Sequence, residues 1–244
     1  MFFDAEQYVY YQIANTHINR YPFPHFYITD IFPEDFYKAL LKFLPSNSQF
    51  KRLDETGTVP KGSYPERFIC SLSDLNQNEE FSAEHLDFWR QLSSWINGTR
   101  FQNVLLQKFH KDIKQRFDKD IKLVIENDVR LIRDFSNYSI PPHTDTQRKL
   151  ISLLFYLPHD DSLKHLGTSI YSPTDESFVC NGGTHHSFSE FKKVTTAPFT
   201  PNSLFGFLRT DNSFHGVEPI TETGIQRNLL LYNIYINKIV RHAA

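Results

Sequence analysis

Apolar residues in the first half of the chain recur at the spacing of an amphipathic helix. Positions 86–96 carry one such pattern, which stops at Asn97-Gly98, and positions 106–117 carry another. A third helix is predicted to begin at Pro33, with acidic residues in its first turn, and to end near Pro45. Because side chains three and four positions apart share one face of a helix, each pattern predicts a helix with one buried face.

From about Lys122 the pattern changes to short segments rich in β-branched and aromatic residues, separated by Pro, Gly, Asn and Asp. Eight of these segments read as strands: 122–126, 129–135, 149–157, 168–171, 191–196, 203–208, 214–220 and 228–236. Many short strands with this punctuation are typical of a β-sandwich or jelly roll. We therefore predict an α+β protein with a mainly β, cupin-like core and supporting N-terminal helices.

The two halves are expected to form a single domain over residues 1–244. Residues 1–121 would be a helix-rich support and residues 122–244 the β core. The segment from about Ser46 to Gln77 is rich in turn-forming residues and has weak periodicity, which favours a loop that acts as a lid. The segment from His159 to Ser189 is a second candidate for the lid.

Charge and composition narrow the possible partners. The chain has 26 basic and 28 acidic residues, mixed along its length, and a formal net charge of −2. Nucleic acids and anionic membranes attract strongly basic surfaces, so neither is an expected partner. No run approaches the roughly 20 apolar residues that span a bilayer, and the N-terminus lacks the pattern of a signal peptide. Only Cys70 and Cys180 are available for a disulfide, so we predict a cytoplasmic protein.

The tripeptide His-x-Asp, a simple candidate for a pair of metal ligands, occurs at positions 85–87, 110–112, 143–145 and 159–161. In a helix, residues two positions apart point about 200° away from each other, so the first two pairs, which fall in predicted helices, cannot bind one ion. In a strand such residues share a face. His143 and Asp145 lead into the strand at 149–157 and are therefore preferred. The pair at 159–161 lies in a loop and stays an alternative.

A third ligand has to come from elsewhere, and His215 begins a short strand-like segment. Arg227 follows twelve residues later, after the turn-like positions 221–224. We predict a hairpin that places His215 and Arg227 on neighbouring strands. Two neutral imidazoles and one carboxylate leave three positions open on iron(II), which suit a bidentate 2-oxo acid and dioxygen. A guanidinium matches the remaining carboxylate of such an acid.

The set His143, Asp145, His215 and Arg227 resembles the motif of the iron(II)/2-oxoglutarate-dependent oxygenase superfamily, with its prolyl-hydroxylase-like and phytanoyl-CoA-hydroxylase-like members. The surrounding sequence is similar to that superfamily at positions 21–45, 153–158 and 214–220. The resemblance covers residues 21–237, and most of its specificity lies between 134 and 237. It implies a double-stranded β-helix fold, iron(II) as the metal, and 2-oxoglutarate and dioxygen as co-substrates.

The resemblance also implies roles for individual residues. His143, Asp145 and His215 would bind iron, and Arg227 would bind the tail carboxylate of 2-oxoglutarate. Several subfamilies place a serine two positions after the arginine, whereas this chain has Leu229. We expect the missing hydroxyl to come from Tyr138 or Tyr156, or the co-substrate to bind in a different pose. Tyr156 matches a position at which some peptidyl-hydroxylase relatives place a tyrosine against the same carboxylate. Related halogenases lack the carboxylate of Asp145, so its presence favours hydroxylation or desaturation.

Three function hypotheses follow. The first is a dioxygenase that hydroxylates a small molecule or an amino-acid or peptidyl side chain and releases succinate and CO2. The second is a non-catalytic, cupin-like module that binds a metal or ligand, although such a module does not need Arg227. The third is a nucleic-acid demethylase of the same superfamily, which the balanced charge disfavours.

Overall fold

The computed structural model describes residues 5–117 and 121–241. The helices there are α1 (Ala5–Asn15), α2 (Glu34–Lys42), α3 (Leu72–Asn76), α4 (Ala83–Ile96), α5 (Thr99–Lys108) and α6 (His110–Arg116). The strands are β1 (His25–Thr29), β2 (Lys51–Arg52), β3 (Arg67–Ser71), β4 (Ile121–Phe135), β5 (Ile140–His143), β6 (Lys149–Tyr156), β7 (Thr168–Pro173), β8 (Phe191–Ala197), β9 (Ser203–Leu208), β10 (His215–Val217) and β11 (Gln226–Arg241). The predicted combination of N-terminal helices with a mainly β core is confirmed.

The strands form two antiparallel sheets. The larger sheet has seven strands in the order β1-β9-β6-β11-β4-β3-β2, and the smaller has four in the order β5-β10-β7-β8. Three strands of the larger sheet come from the first half of the chain: β1 pairs with β9, β3 pairs with β4, and β2 pairs with β3.

Side chains on the two faces of β11 belong to two different hydrophobic clusters. Leu230, Tyr232 and Ile234 are buried in the cluster that includes the helices, whereas Leu229 belongs to the cluster that includes Ile170 of the smaller sheet. Successive side chains of a strand point to opposite faces, so one strand supports both the helical layer and the space between the sheets. The helices therefore cover the outer face of the larger sheet, and its inner face is left for a binding site.

Two of the three predicted helices are confirmed as α2 and α4. The hydroxyl of Ser82 accepts a hydrogen bond from the backbone N–H of His85 at 3.3 Å and caps the start of α4. The predicted helix at 106–117 is instead two helices, α5 and α6, which meet at Phe109. The chain turns at Phe109, and the Phe109 side chain is fully buried and stacks on Phe26. No helix of the described residues has the length and hydropathy needed to cross a bilayer.

The segment 46–77 is more regular than the sequence indicated. It contains β2, β3 and α3. Five residues of β3 pair with β4 and extend the larger sheet. Residues 56–66 hold the turns between these elements. Helix α1 was not predicted, because its apolar and polar residues alternate with little bias to one face.

The predicted hairpin between His215 and Arg227 is wrong. His215 begins β10, which pairs with β5 and β7 in the smaller sheet, whereas Arg227 lies in β11, which pairs with β4 and β6 in the larger sheet. The chain between them crosses from one sheet to the other and does not turn back on itself. Both residues line the same cavity, from opposite sheets.

Candidate functional site

Three potential metal ligands converge between the sheets. His143 ends β5 and lies directly opposite His215 in β10, and Asp145 follows in the loop just beyond β5. One ligand atom from each of the three side chains lies within 4.8 Å of the others. All three residues are buried. His143, Asp145 and His215 are the one group of three such ligands in residues 5–117 and 121–241.

The backbone orients both imidazoles. Nδ1 of His143 lies 2.9 Å from the carbonyl oxygen of Pro141, and Nδ1 of His215 lies 2.9 Å from that of Ser213. A carbonyl only accepts, so each Nδ1 carries the proton and each Nε2 keeps a free lone pair. Burial lowers the pKa of both histidines, and His215 lowers that of His143 further. Both rings are therefore held neutral, as metal binding requires.

Two side chains fix the carboxylate of Asp145. Lys149 Nζ lies 2.9 Å from Oδ1, and the hydroxyl of Ser152 donates to Oδ2 at 3.0 Å. Burial alone would raise the pKa of Asp145, but the positive charge and the hydrogen bond of Lys149 hold it below its usual range. Asp145 is therefore ionised, and its orientation is set before any metal binds.

The backbone of the ligand loop is held from outside the cavity. Arg209 Nε donates to the carbonyl oxygen of Asp145 at 3.1 Å, and Arg116 donates to the carbonyl oxygens of Gln147 and Lys149 at 2.8 and 3.0 Å. Gly182 packs against the same carbonyl of Asp145, where a Cβ atom would overlap the oxygen, and its φ is +112°. Only glycine fits this close approach.

The ligands line a cavity of about 680 Å³ that runs along the inner face of the larger sheet. We call one end of it, formed by Arg67, Tyr138 and Arg227 together with Asp134, the buried carboxylate that binds both arginines, the inner end. The other, formed by Tyr64, Lys149, His185 and Tyr235, is called the outer end. Apolar side chains line the cavity between the two ends, among them Leu154, Phe207 and Leu231.

Charged residues of the inner end form a row across three neighbouring strands. Asp134 of β4 is directly opposite Arg67 of β3 on one side and Arg227 of β11 on the other. Arg67 binds the Asp134 carboxylate through Nε and Nη2 at 2.7 and 2.9 Å, and Arg227 Nη1 donates to it at 2.7 Å. Asp134 and Arg227 are both 0 % exposed. Two guanidinium groups thus share one carboxylate, which leaves a net positive charge at the inner end.

Within residues 5–117 and 121–241, two hydrogen-bonding groups of the inner end have no partner. Arg227 Nε donates to the carbonyl oxygen of Leu166 at 2.8 Å, but its Nη2 is buried and unpaired. The hydroxyl of Tyr138 is also buried without a partner. Burial raises the pKa of Tyr138, so its hydroxyl stays protonated and is able to donate. Unpaired buried donors are costly, and their convergence on one cavity indicates an acceptor-rich ligand.

The second tyrosine singled out from the sequence is placed differently. The hydroxyl of Tyr156 donates to Oγ1 of Thr168 at 2.8 Å and accepts from the backbone N–H of the same residue at 3.2 Å. Thr168 lines the cavity, and Tyr156 packs with Phe199 next to Arg227. Its hydroxyl is already satisfied, unlike that of Tyr138.

The residues of the outer end were not singled out as a site from the sequence. The hydroxyl of Tyr64, whose φ is +53°, forms a hydrogen bond with Nε2 of His185 at 2.8 Å, and the His185 ring lies 5.0 Å from that of His143. This contact joins two loops that are far apart in sequence across the mouth of the cavity. His185 is exposed, and it also lines the cavity.

The other His-x-Asp pairs are engaged elsewhere. His85 lies in α4, where its Nδ1 is 2.9 Å from the hydroxyl of Ser82, and Asp112 of α6 forms an ion pair with Arg20. His159 is exposed.

No family model and no curated protein matches the chain at the level of sequence. Among solved structures, the non-haem alpha-ketoglutarate-dependent epimerase SnoN from nogalamycin biosynthesis is similar over 98 % of this chain and 83 % of its own, with a TM-score of 0.53 and 10 % identity. A Pseudomonas putida prolyl-4-hydroxylase is similar over 94 % and 98 %, with a TM-score of 0.48 and 11 % identity. The likeness to SnoN concerns the fold. It confirms the double-stranded β-helix that the sequence resemblance implied.

Proposed function

We propose that this chain, whose fold is that of an alpha-ketoglutarate-dependent enzyme, is an iron(II)- and 2-oxoglutarate-dependent dioxygenase. In this proposal it hydroxylates a small molecule or an amino-acid or peptidyl side chain, with release of succinate and CO2. One observation carries the proposal. A set of two histidines and one carboxylate shares a cavity with a fully buried arginine whose Nη2 has no partner among the residues that the structure describes.

The donor set suits iron(II). Nε2 of His143, Nε2 of His215 and one oxygen of Asp145 would occupy one side of the ion and leave three positions for a bidentate oxo acid and dioxygen. The inner end suits the tail carboxylate of 2-oxoglutarate, because Arg227 Nη2 and the Tyr138 hydroxyl both lack an acceptor. When bound, the iron and 2-oxoglutarate would together supply the oxidising chemistry.

The protein's own residues would position the reactants and exclude water. Asp134 and Leu166 fix the guanidinium of Arg227, so that binding the co-substrate requires little rearrangement. Lys149 and Ser152 fix the carboxylate of Asp145 in the same way. Tyr138 is better placed than Tyr156 to supply a hydroxyl to the co-substrate, because the hydroxyl of Tyr156 is bonded to Thr168.

The substrate class is a separate part of the proposal. The similar proteins include an epimerase and a prolyl hydroxylase, so this fold supports different outcomes. Asp145 occupies the third ligand position, which favours hydroxylation or desaturation over halogenation. Both cysteines are free thiols, which fits a reducing compartment such as the cytoplasm.

Succinate formation would separate the enzyme from a cupin-like binding module. Purified protein is incubated aerobically with iron(II), 2-oxoglutarate and a panel of candidate substrates, and succinate is measured beside the His143→Ala variant. We expect iron-dependent succinate that exceeds the variant's background. Protein that binds both iron(II) and 2-oxoglutarate, yet forms no succinate with any candidate, would favour the binding module.

A further inference from the structure

Lys149 and Tyr235 are cross-strand neighbours at the outer end of the cavity. They are directly opposite each other in β6 and β11, so their side chains project to the same face of the sheet. Both line the active-site cavity, and both also line a neighbouring groove of about 460 Å³. They are among the residues that the cavity and the groove share, so a ligand that extends from the metal ligands into this groove passes beside them.

Both residues have donors to spare. Lys149 has three N–H groups, and Asp145 accepts from one of them. In the part of the chain that the structure describes, the hydroxyl of Tyr235 has no hydrogen-bond partner. The other basic residues that line the groove are already paired at short range: Arg67 with Asp134 at 2.7 Å, Arg130 with Asp128 at 2.7 Å and Arg148 with Glu126 at 2.9 Å.

The net charges of the two ends would differ once iron(II) and 2-oxoglutarate are bound. At the inner end Arg67 and Arg227 share Asp134, and the tail carboxylate of 2-oxoglutarate would supply the second negative charge. That end is then neutral. At the metal, the two positive charges of iron(II) and the one of Lys149 face only Asp145 and the chelating carboxylate of the oxo acid. One positive charge is left uncompensated beside Lys149, whose side chain is 18 % exposed.

We propose that Lys149 and Tyr235 bind an anionic group of the primary substrate, a carboxylate or a phosphate, and that the rest of the substrate extends into the neighbouring groove. This inference rests on the proposed function, because the single uncompensated charge is the one that remains when iron(II) and 2-oxoglutarate are both bound. An anion there removes the cost of a poorly solvated charge, and a neutral group of the same shape does not.

Calorimetry with three matched probes tests the inference. The protein is loaded with Zn²⁺, as a redox-inert substitute for iron, and with saturating 2-oxoglutarate. It is then titrated with benzoate, phenyl phosphate and the neutral benzamide, while equilibrium dialysis shows that 2-oxoglutarate stays bound. We expect one of the two anions to bind at least about tenfold more tightly than benzamide. The anion that binds more tightly identifies the group that the substrate carries.

Three variants test whether Lys149 and Tyr235 cause the preference for the anion. Lys149→Met should abolish the preference for the anion, Lys149→Arg should restore most of it, and Tyr235→Phe should reduce it several-fold. Lys38→Met is the matched control, because Lys38 also pairs with an acidic residue four positions away, Glu34, but on the surface. If Lys149→Met weakens Zn²⁺ binding through Asp145, the Tyr235→Phe and Lys149→Arg variants still carry the test.

The outcomes separate this inference from the proposed function. Failure of the wild-type protein to bind Zn²⁺ or 2-oxoglutarate would refute both. Normal binding of both, with equal affinity for benzoate, phenyl phosphate and benzamide or with no binding of either anion, would refute the anionic substrate alone.

Discussion

The inner and outer ends of the cavity both hold paired charges, but they differ in burial and in how many partners each charge has. At the inner end Asp134 and Arg227 are fully buried, and Asp134 accepts hydrogen bonds from two arginines. At the outer end Lys149 has one carboxylate partner and is partly exposed. In our proposal the inner end is a fixed receptor for one co-substrate, whereas the outer end keeps donors for a variable ligand.

The largest effect should come from removing the shared carboxylate of the inner end. Asp134→Asn leaves the buried guanidinium groups of Arg67 and Arg227 without a counter-charge, so the free energy of unfolding should fall by about 3–5 kcal/mol. Urea denaturation of the metal-free protein measures this decrease in the free energy of unfolding. Glu84→Gln, which breaks the exposed pair with Lys42, should cost about 0–1 kcal/mol. Equal losses in the two variants would contradict the fixed-receptor account.

The next largest effect is a pH dependence of the free energy of unfolding, which comes from the two histidines proposed as metal ligands. Burial lowers the pKa of His143 and His215 in the folded protein, so below the ordinary value of 6.5 the unfolded chain takes up protons that the folded protein does not. The free energy of unfolding of metal-free protein should therefore fall as the pH drops from 6.5 towards 5. The decrease should be up to about 1.4 kcal/mol per pH unit for each histidine.

Urea denaturation at a series of pH values in the presence of a chelator measures this slope. The double variant His143→Gln/His215→Gln should show a shallower slope than the wild type. His159→Gln, at an exposed position, serves as the control and should leave the slope unchanged. The same slope in the double variant and the wild type would show that the two ligands are not held neutral by the fold.

A smaller effect should come from the glycine that touches the ligand loop. In Gly182→Ala the new Cβ overlaps the carbonyl oxygen of Asp145, whereas in Gly183→Ala it meets only Thr146 Cγ2 at 3.7 Å. Both glycines have positive φ, so the pair separates the overlap from backbone strain. Gly182→Ala should lose about 1–3 kcal/mol more stability than Gly183→Ala and should bind Zn²⁺ more weakly. Equal Zn²⁺ affinities, measured by calorimetry, would remove Gly182 from the account of the site.

The smallest effect distinguishes the two tyrosines. Tyr138→Phe removes a hydroxyl that has no partner in the described part of the chain, so stability should be unchanged while the affinity for 2-oxoglutarate falls several-fold. Tyr156→Phe breaks the bond to Thr168, so stability should fall by about 1 kcal/mol with little change in affinity for 2-oxoglutarate. Denaturation and calorimetry on both variants measure this contrast. The reverse pattern would assign the co-substrate hydroxyl to Tyr156.

The grouping of His143, Asp145 and His215 was predicted from the sequence because each of these residues stands beside a local strand pattern. His143 and Asp145 are two positions apart beside a strong strand pattern, and His215 begins another strand-like segment. The ion pairs of the inner end were not predicted, because they depend on strand register. Asp134 meets Arg67 and Arg227 only because β4 pairs with β3 and β11 in one register, and nothing in the local pattern sets that register.

Pairing between neighbouring segments was the weakest sequence inference. The turn-like positions 221–224 favoured a hairpin, but β10 and β11 pair with strands distant in sequence and belong to different sheets. Lys149 carried a signal that was available, since it follows Asp145 by four positions in a mostly apolar strand. A charged residue at such a position needs a partner, and the nearest candidate was a proposed metal ligand.

The most direct test of the central claim is anaerobic visible absorption of the metal-free protein, titrated with iron(II) and then with 2-oxoglutarate. We expect a weak charge-transfer band that appears only when both are present. The band should vanish in His143→Ala, and Arg227→Met should need more 2-oxoglutarate to develop it. No band in folded, iron-saturated wild-type protein would contradict the proposal that this cavity binds iron(II) and 2-oxoglutarate together.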